Sequence, residues 1–129
     1  MVDLPLERRL ALAAAGRTAG LGLLVLFGSR ARGAARASSD WDFAYFAAPE
    51  ADLDGLLLAL VTTLDTERVD LTDLARGGAL LRYHVARDGV ALFEAEPDTF
   101  DRFRRQAIAF WCDVEPILRP AYAVRLAAL

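Results

Sequence analysis

The sequence predicts an α+β fold, a small mixed β-sheet with helices packed against it, and three observations point to it. Segments with helical and with strand periodicity alternate along the chain. Leu23 to Phe27 is apolar at every position, as suits a central strand buried on both faces. The link from that run to the next strand-like segment is barely long enough for the dozen or more residues of a parallel crossover, so a mixed sheet is expected. At 129 residues and 55% hydrophobic, the chain fits one domain, residues 1–129, with one site as the default.

In chain order, the first helix is predicted over about Leu6 to Gly16, with Leu6, Leu10, Ala13 and Ala14 on its inner face. Gly20 and Gly22 end that region, and the apolar strand then runs to Gly28. Ser29 to Ser39, rich in Ala and Arg, holds one short helix, and the aromatic residues of Trp41 to Ala47 favour a strand. Pro49 breaks the chain. Leu53, Leu56, Leu57, Leu60, Val61 and Leu64 form a one-faced helix, with Asp52 and Asp54 in its first turn, where the helix dipole favours anions. Arg68 to Thr72 alternates as a short strand, Val69 and Leu71 on one face and Asp70 and Thr72 on the other. A helix from Gly77-Gly78 to about Arg87 ends at Asp88-Gly89 with an expected left-handed cap. Val90 to Glu96 is a last, edge strand, where Glu94 and Glu96 suit a role as charges against aggregation. A C-terminal helix starts near Asp98 with Phe100, Phe103, Ala107, Phe110, Val114 and Ile117 along one seam, and Pro116 and Pro120 are expected to kink or interrupt it.

Composition removes several function classes. The formal charge of −3 disfavours stable binding of long nucleic acid, whose affinity comes mostly from neutralising phosphates. The chain contains no lysine, which excludes a Walker A loop and Schiff-base chemistry. One cysteine, Cys112, excludes an internal disulfide and a cysteine-based zinc site, and is read as structural. The longest apolar run, Gly20 to Gly28, is far short of the ~20 residues of a spanning helix, so no membrane partner and a cytoplasmic location are expected. His84 is read as a packed histidine.

The stretch "LFGSRARGAARASSDWDF", Leu26 to Phe43, carries the chemistry. On a strand Asp40 and Asp42 project from one side with Cα atoms about 6.6 Å apart. Such a pair suits Mg²⁺, which takes hard oxygen ligands and keeps positions for water and substrate phosphates. Two ions about 3.5–4 Å apart clamp the attacking and leaving oxygens of a displacement at phosphorus. Asp70, on the polar face of its strand, is the candidate third ligand, with Asp73 a competitor whose place before Leu74-Ala75 suits a cap. Gly28 lets the backbone approach a phosphate, and Ser29 adds amide and hydroxyl donors. Arg30, Arg32 and Arg36 lie just beyond, placed either to neutralise pyrophosphate or to form an exposed helix face. The Ser38-Ser39-Asp40 cluster also suits a plain turn or cap.

Gly28-Ser29, ten residues, then Asp40-x-Asp42 resembles the signature of the DNA polymerase β-like nucleotidyltransferase superfamily, most of all its minimal nucleotidyltransferases. The later stretch "VDLTDLARGGALLRYHVARDGVALFEAEPDTFDRFRRQA" is similar to that group in its aspartate-bearing strand, following helix and Asp-Gly turn, so the resemblance covers about Leu23 to Ala107. It implies a polymerase β palm-like fold, with Asp40, Asp42 and Asp70 as the catalytic, metal-binding carboxylates, two Mg²⁺ ions and ATP as substrate. Gly28 and Ser29 match its triphosphate turn. Trp41 departs from the aliphatic residue usual there, keeping an apolar inward side chain while changing the fit around the metal strand.

Many members of this group are similar to antitoxins that work beside a small helical HEPN toxin. The resemblance implies transfer of AMP to a tyrosine hydroxyl of that partner, with Asp70 as the base. Two alternatives stand beside it: neutralisation of a toxin by occlusion alone, and nucleotidyl transfer to a small molecule. Phe100, Phe103, Phe110, Trp111, Ile117 and Tyr122 exceed what a small sheet needs to cover one face, which suggests a partner surface for a toxin or a homodimer.

Overall fold

The computed structural model describes residues 4–128, with side chains described through residue 121. Its elements are α1 (Leu6–Ala19), β1 (Leu21–Phe27), α2 (Ser29–Arg32), β2 (Trp41–Ala47), α3 (Leu53–Leu64), β3 (Val69–Asp73), α4 (Ala79–Asp88), β4 (Val90–Glu94) and α5 (Thr99–Ala128). A 3-10 turn, Leu74–Arg76, follows β3. The four strands form one sheet in the order β3-β2-β1-β4. β1 is antiparallel to both β2 and β4, whereas β2 and β3 run parallel. The mixed sheet follows from the chain lengths: the link into β2 makes an antiparallel return, and α3 fills the crossover that the parallel pair requires.

Helices cover both faces. On one, Leu24, Leu26, Trp41, Phe43 and Tyr45 pack against Leu12 and Ala19 of α1 and Leu56, Leu60 and Leu64 of α3. On the other, Leu23, Val25 and Ala44 meet Val85 and Ala86 of α4 and Phe100, Phe103 and Ala107 of α5. β1 therefore contributes to both cores, which is why its sequence is apolar without alternation.

The periodicity placed α3 well: Asp52 caps it, accepting the Gly55 amide at 2.9 Å, and Leu57 alone of the predicted stripe turns outward. It misplaced the inner face of α1. Leu6 and Leu10 are 71% and 62% exposed, and Leu12, Gly16 and Ala19 point inward. The alanine-rich helix offers several equivalent apolar stripes, and docking against β4 selects the one with least bulk. A Cβ on Gly16 would meet Phe93 side-chain atoms at 3.2–3.3 Å.

Other expectations are corrected. Gly89 is extended (φ −67°, ψ 149°), not left-handed. It is glycine because a Cβ there would stand 2.3 Å from the Val85 carbonyl oxygen and 2.6 Å from Val25 Cγ1. Gly89→Ala is expected to cost about 1–3 kcal/mol through overpacking, read as a fall in Tm with no backbone-conformation penalty. His84 and Cys112 are exposed, not packed. β4 stops at Glu94, whose carboxylate accepts the Phe100 amide at 2.7 Å and so caps the start of α5. α5 continues through Pro116 and Pro120. Both prolines are exposed and four residues apart, so the carbonyls they leave without an amide partner face water. Phe100 and Phe103 are buried, but Phe110 and Ile117 are 57% and 75% exposed, so part of the seam is surplus to this core. The Tyr122 side chain lies outside the described residues. No helix among the described residues is long and apolar enough to cross a membrane.

Candidate active site

The antiparallel pairing of β1 with β2 sets Phe27 opposite Asp42. The residue after Phe27 is therefore forced against that carboxylate. Gly28 has φ 74° and ψ −158°, a region essentially restricted to glycine. Any Cβ there would lie 2.4 Å from Asp42 Oδ2. The turn thus approaches the carboxylate with backbone alone. Ser29 opens α2 directly beyond, and the first amides to find an acceptor within this turn are those of Ala31 and Arg32, both on the Gly28 carbonyl. Those of Ser29 and Arg30 precede them, in the unpaired position usual at a helix start.

The parallel pairing of β2 with β3 sets Asp42 beside Asp70 in register. Neighbouring strands lie about 4.8 Å apart. Trp41, Phe43 and Val69 belong to the core under α1 and α3, so alternation turns both aspartates to the opposite face. Asp40 stands exposed just before β2. Burial raises the Asp42 carboxyl above its ordinary value of 3.8, and repulsion from Asp70 and then Asp40 raises it further, while Arg32 offsets part of this. Asp73 is not part of the set: its carboxylate accepts the Ala75 amide at 2.9 Å and caps the 3-10 turn.

Among the described residues no three carboxylate, histidine or cysteine side chains converge as a closed metal-holding group. The donor chemistry nonetheless fits a hard divalent cation. Two aspartates are registered neighbours on one face, the third is close enough to be felt, and their mutual repulsion is what a cation relieves.

The three arginines are engaged differently. Arg30 stacks its guanidinium on Trp41, 4.4 Å from the ring centroid, and donates to the carbonyls of Ser39 at 2.8 Å and Ala37 at 3.4 Å. It is thus engaged on the Trp41 side of β2 and not on the side of Asp42. Arg32 is the arginine close to Asp42, and Asp88 holds it at 3.9 Å. Asp88 is itself kept below the usual carboxylate range, chiefly by hydrogen bonds from Arg87. Arg36 is exposed, its amide donating to Ser39 Oγ. Sequence reasoning missed Asp88 and also Arg68, which donates to the Ser38 carbonyl at 2.7 Å. Neither leaves a local signal, because each partner lies tens of residues away. A cavity of about 380 Å³ between the start of α4 and α5, lined by Gly77, Ala79, Arg82 and Phe110 among others, contains none of the three carboxylates.

Comparison with known proteins identifies the family. The family model "Polymerase beta, Nucleotidyltransferase" matches residues 17–98. The chain is 32% identical over 109 residues to the protein adenylyltransferase MntA of Aphanizomenon flos-aquae (strain 2012/KM1/D3), covering 75% of this chain and 73% of that one. Among solved structures, a toxin-antitoxin crystal structure with AMP-PNP aligns with TM-score 0.73 at 25% identity, covering 92% of this chain and 98% of the other. A tri-AMPylated Shewanella oneidensis HEPN toxin in complex with MNT antitoxin aligns with TM-score 0.68 at 23% identity, covering 93% and 97%, and supports the fold. With a glycine-serine turn set against registered aspartates and a family model spanning well over half its length, the chain belongs to the polymerase beta nucleotidyltransferase family.

Proposed function

We propose that this protein transfers AMP from ATP to a tyrosine hydroxyl of a HEPN-type toxin and so acts as its antitoxin. The observation that carries the reading is the juxtaposition of Gly28, Asp42 and Asp70 at one end of the sheet, fixed by two strand ladders. The similarity to a protein adenylyltransferase and to toxin-antitoxin complexes supports the choice of nucleotide and partner.

In this mechanism Asp40, Asp42 and Asp70 hold Mg²⁺, which when bound neutralises triphosphate charge and makes the acceptor hydroxyl more acidic. The Ser29 hydroxyl and the amides at the start of α2 donate to the β- and γ-phosphates. Arg32, held by Asp88, adds positive charge where pyrophosphate develops. Asp70, exposed and without a side-chain hydrogen bond among the described residues, takes the tyrosine proton. The phenolic oxygen forms a bond to the α-phosphorus as the bond to the bridging oxygen breaks, and pyrophosphate leaves with that electron pair.

The test is a mass measurement on the product of the adjacent reading frame after incubation with this protein and MgATP. A gain of one or more AMP masses, absent with Asp42→Asn, is expected. A stable complex without any gain would instead favour neutralisation by occlusion, for which the exposed Phe110 and Ile117 are the candidate contacts.

A further inference from the structure

The loop leading into Asp40 is held by side chains in place of secondary structure. After α2 ends at Arg32, residues 33–40 belong to no helix or strand. The three residues before Asp40 nevertheless have each of their carbonyls on an arginine. Arg30 Nη2 reaches Ala37 and Ser39, and Arg68 Nη1 takes Ser38 between them. Both arginines are anchored. Arg30 lies over Trp41, with its Nε buried and without an acceptor, and the Arg68 carbonyl accepts the Trp41 amide at 2.8 Å. Trp41 is 6% exposed and stacks on Phe43, so the platform beneath Arg30 is part of the core.

We infer that Arg30 and Arg68 are positioning residues, which fix Asp40 and Asp42 for metal binding by gripping the carbonyls of residues 37–39, and that Arg30 is not a phosphate ligand. The inference rests on the proposed metal-dependent transfer at the same site. A guanidinium suits the task because it lies flat on the indole while its far nitrogen, Nη2, donates to both carbonyls. An ammonium has three donors but no flat face to lay on the indole, so Trp41 does not aim it at the carbonyls, although it serves well against phosphate.

The test uses the full chain and two variants, Arg68→Ala, whose side chain is exposed, and Arg30→Lys, which keeps the charge. In both, amide hydrogen exchange of residues 34–40 is expected to accelerate while exchange of β1 stays unchanged. Affinity for Mn²⁺ alone, followed by its electron paramagnetic resonance signal, is expected to fall about 10–100-fold, the range typical when a partner that orients a metal ligand is lost. A folded Arg68→Ala protein with parental exchange and Mn²⁺ affinity would overturn the inference. So would Arg30→Lys with parental Mn²⁺ affinity and exchange. If the parent protein transfers no AMP, the proposed function fails, yet exchange and Mn²⁺ binding still decide whether the two arginines position the aspartates.

Discussion

Asp42→Asn is expected to be folded, inactive and at least as heat-stable as the parent protein. The loss of activity follows from its place between Gly28 and Asp70, where it is the carboxylate shared by both halves of the site. The stability follows from electrostatics. Burial and two neighbouring carboxylates raise the Asp42 carboxyl above 3.8, so the native state binds its proton more tightly than the unfolded chain does. Stability contributed by that proton is present in full below the unfolded value and is lost as pH rises through the native one. At neutral pH the ionised group therefore opposes folding, and asparagine, nearly isosteric and neutral, removes the opposition. The measurement is Tm against pH for both proteins. The advantage of the variant should vanish below about 3.8, open above it and level off once Asp42 is fully ionised. A variant less stable than the parent at neutral pH would contradict this account.

Gly28→Ala is expected to damage both fold and activity. The backbone there sits at φ 74° and ψ −158°, a conformation that costs an alanine about 1–3 kcal/mol before any contact is considered. The new methyl would also stand 2.4 Å from Asp42 Oδ2 and 3.3 Å from its Cβ, so the carboxylate itself must move. Tm should fall by roughly 5–15 °C. AMP transfer should fall by about 10²-fold or more, since a displacement near 1 Å at a reacting centre costs that much. Gly20→Ala is the control. Its φ is 79°, but a Cβ there meets nothing within 4 Å, so it should lose stability through the backbone alone and keep activity. Equal loss of activity in both variants would assign the Gly28 effect to general destabilisation and not to Asp42.

The elements whose burial is one-sided or complete were legible from the residues alone. β2 runs from Trp41 to Ala47 as predicted, and the alternation of Val69 and Leu71 with Asp70 and Thr72 put Asp70 on the right face. The approach of Asp70 to Asp42 was legible as a motif and is realised through a parallel ladder that periodicity does not encode. Where composition is uniform, the reading failed. α1 offers more than one stripe of alanine and leucine, and docking against α3 and Phe93 of β4, which Gly16 admits, sets which one faces inward. Residue type alone suggests a left-handed cap at Gly89, whereas the close approach of Val25 and Val85 is what excludes a side chain there. The engagements of Arg30, Arg68 and Asp88 join residues on different elements, and no local spacing announces them.

The two ladders that assemble the carboxylates also set an order in which the chain acquires them. Gly28, Asp40 and Asp42 lie on one antiparallel return, a connection that closes over a short length of chain. Asp70 arrives only after residues 48–68 have formed the α3 crossover and β3 has docked in parallel at the edge of the sheet. Closing that longer loop costs more entropy and comes later. A nascent or partly opened chain can therefore hold the turn and two aspartates while lacking the third. In the proposed mechanism the carboxylate set is thus completed by β3, and nucleotide transfer waits until that edge of the sheet has docked.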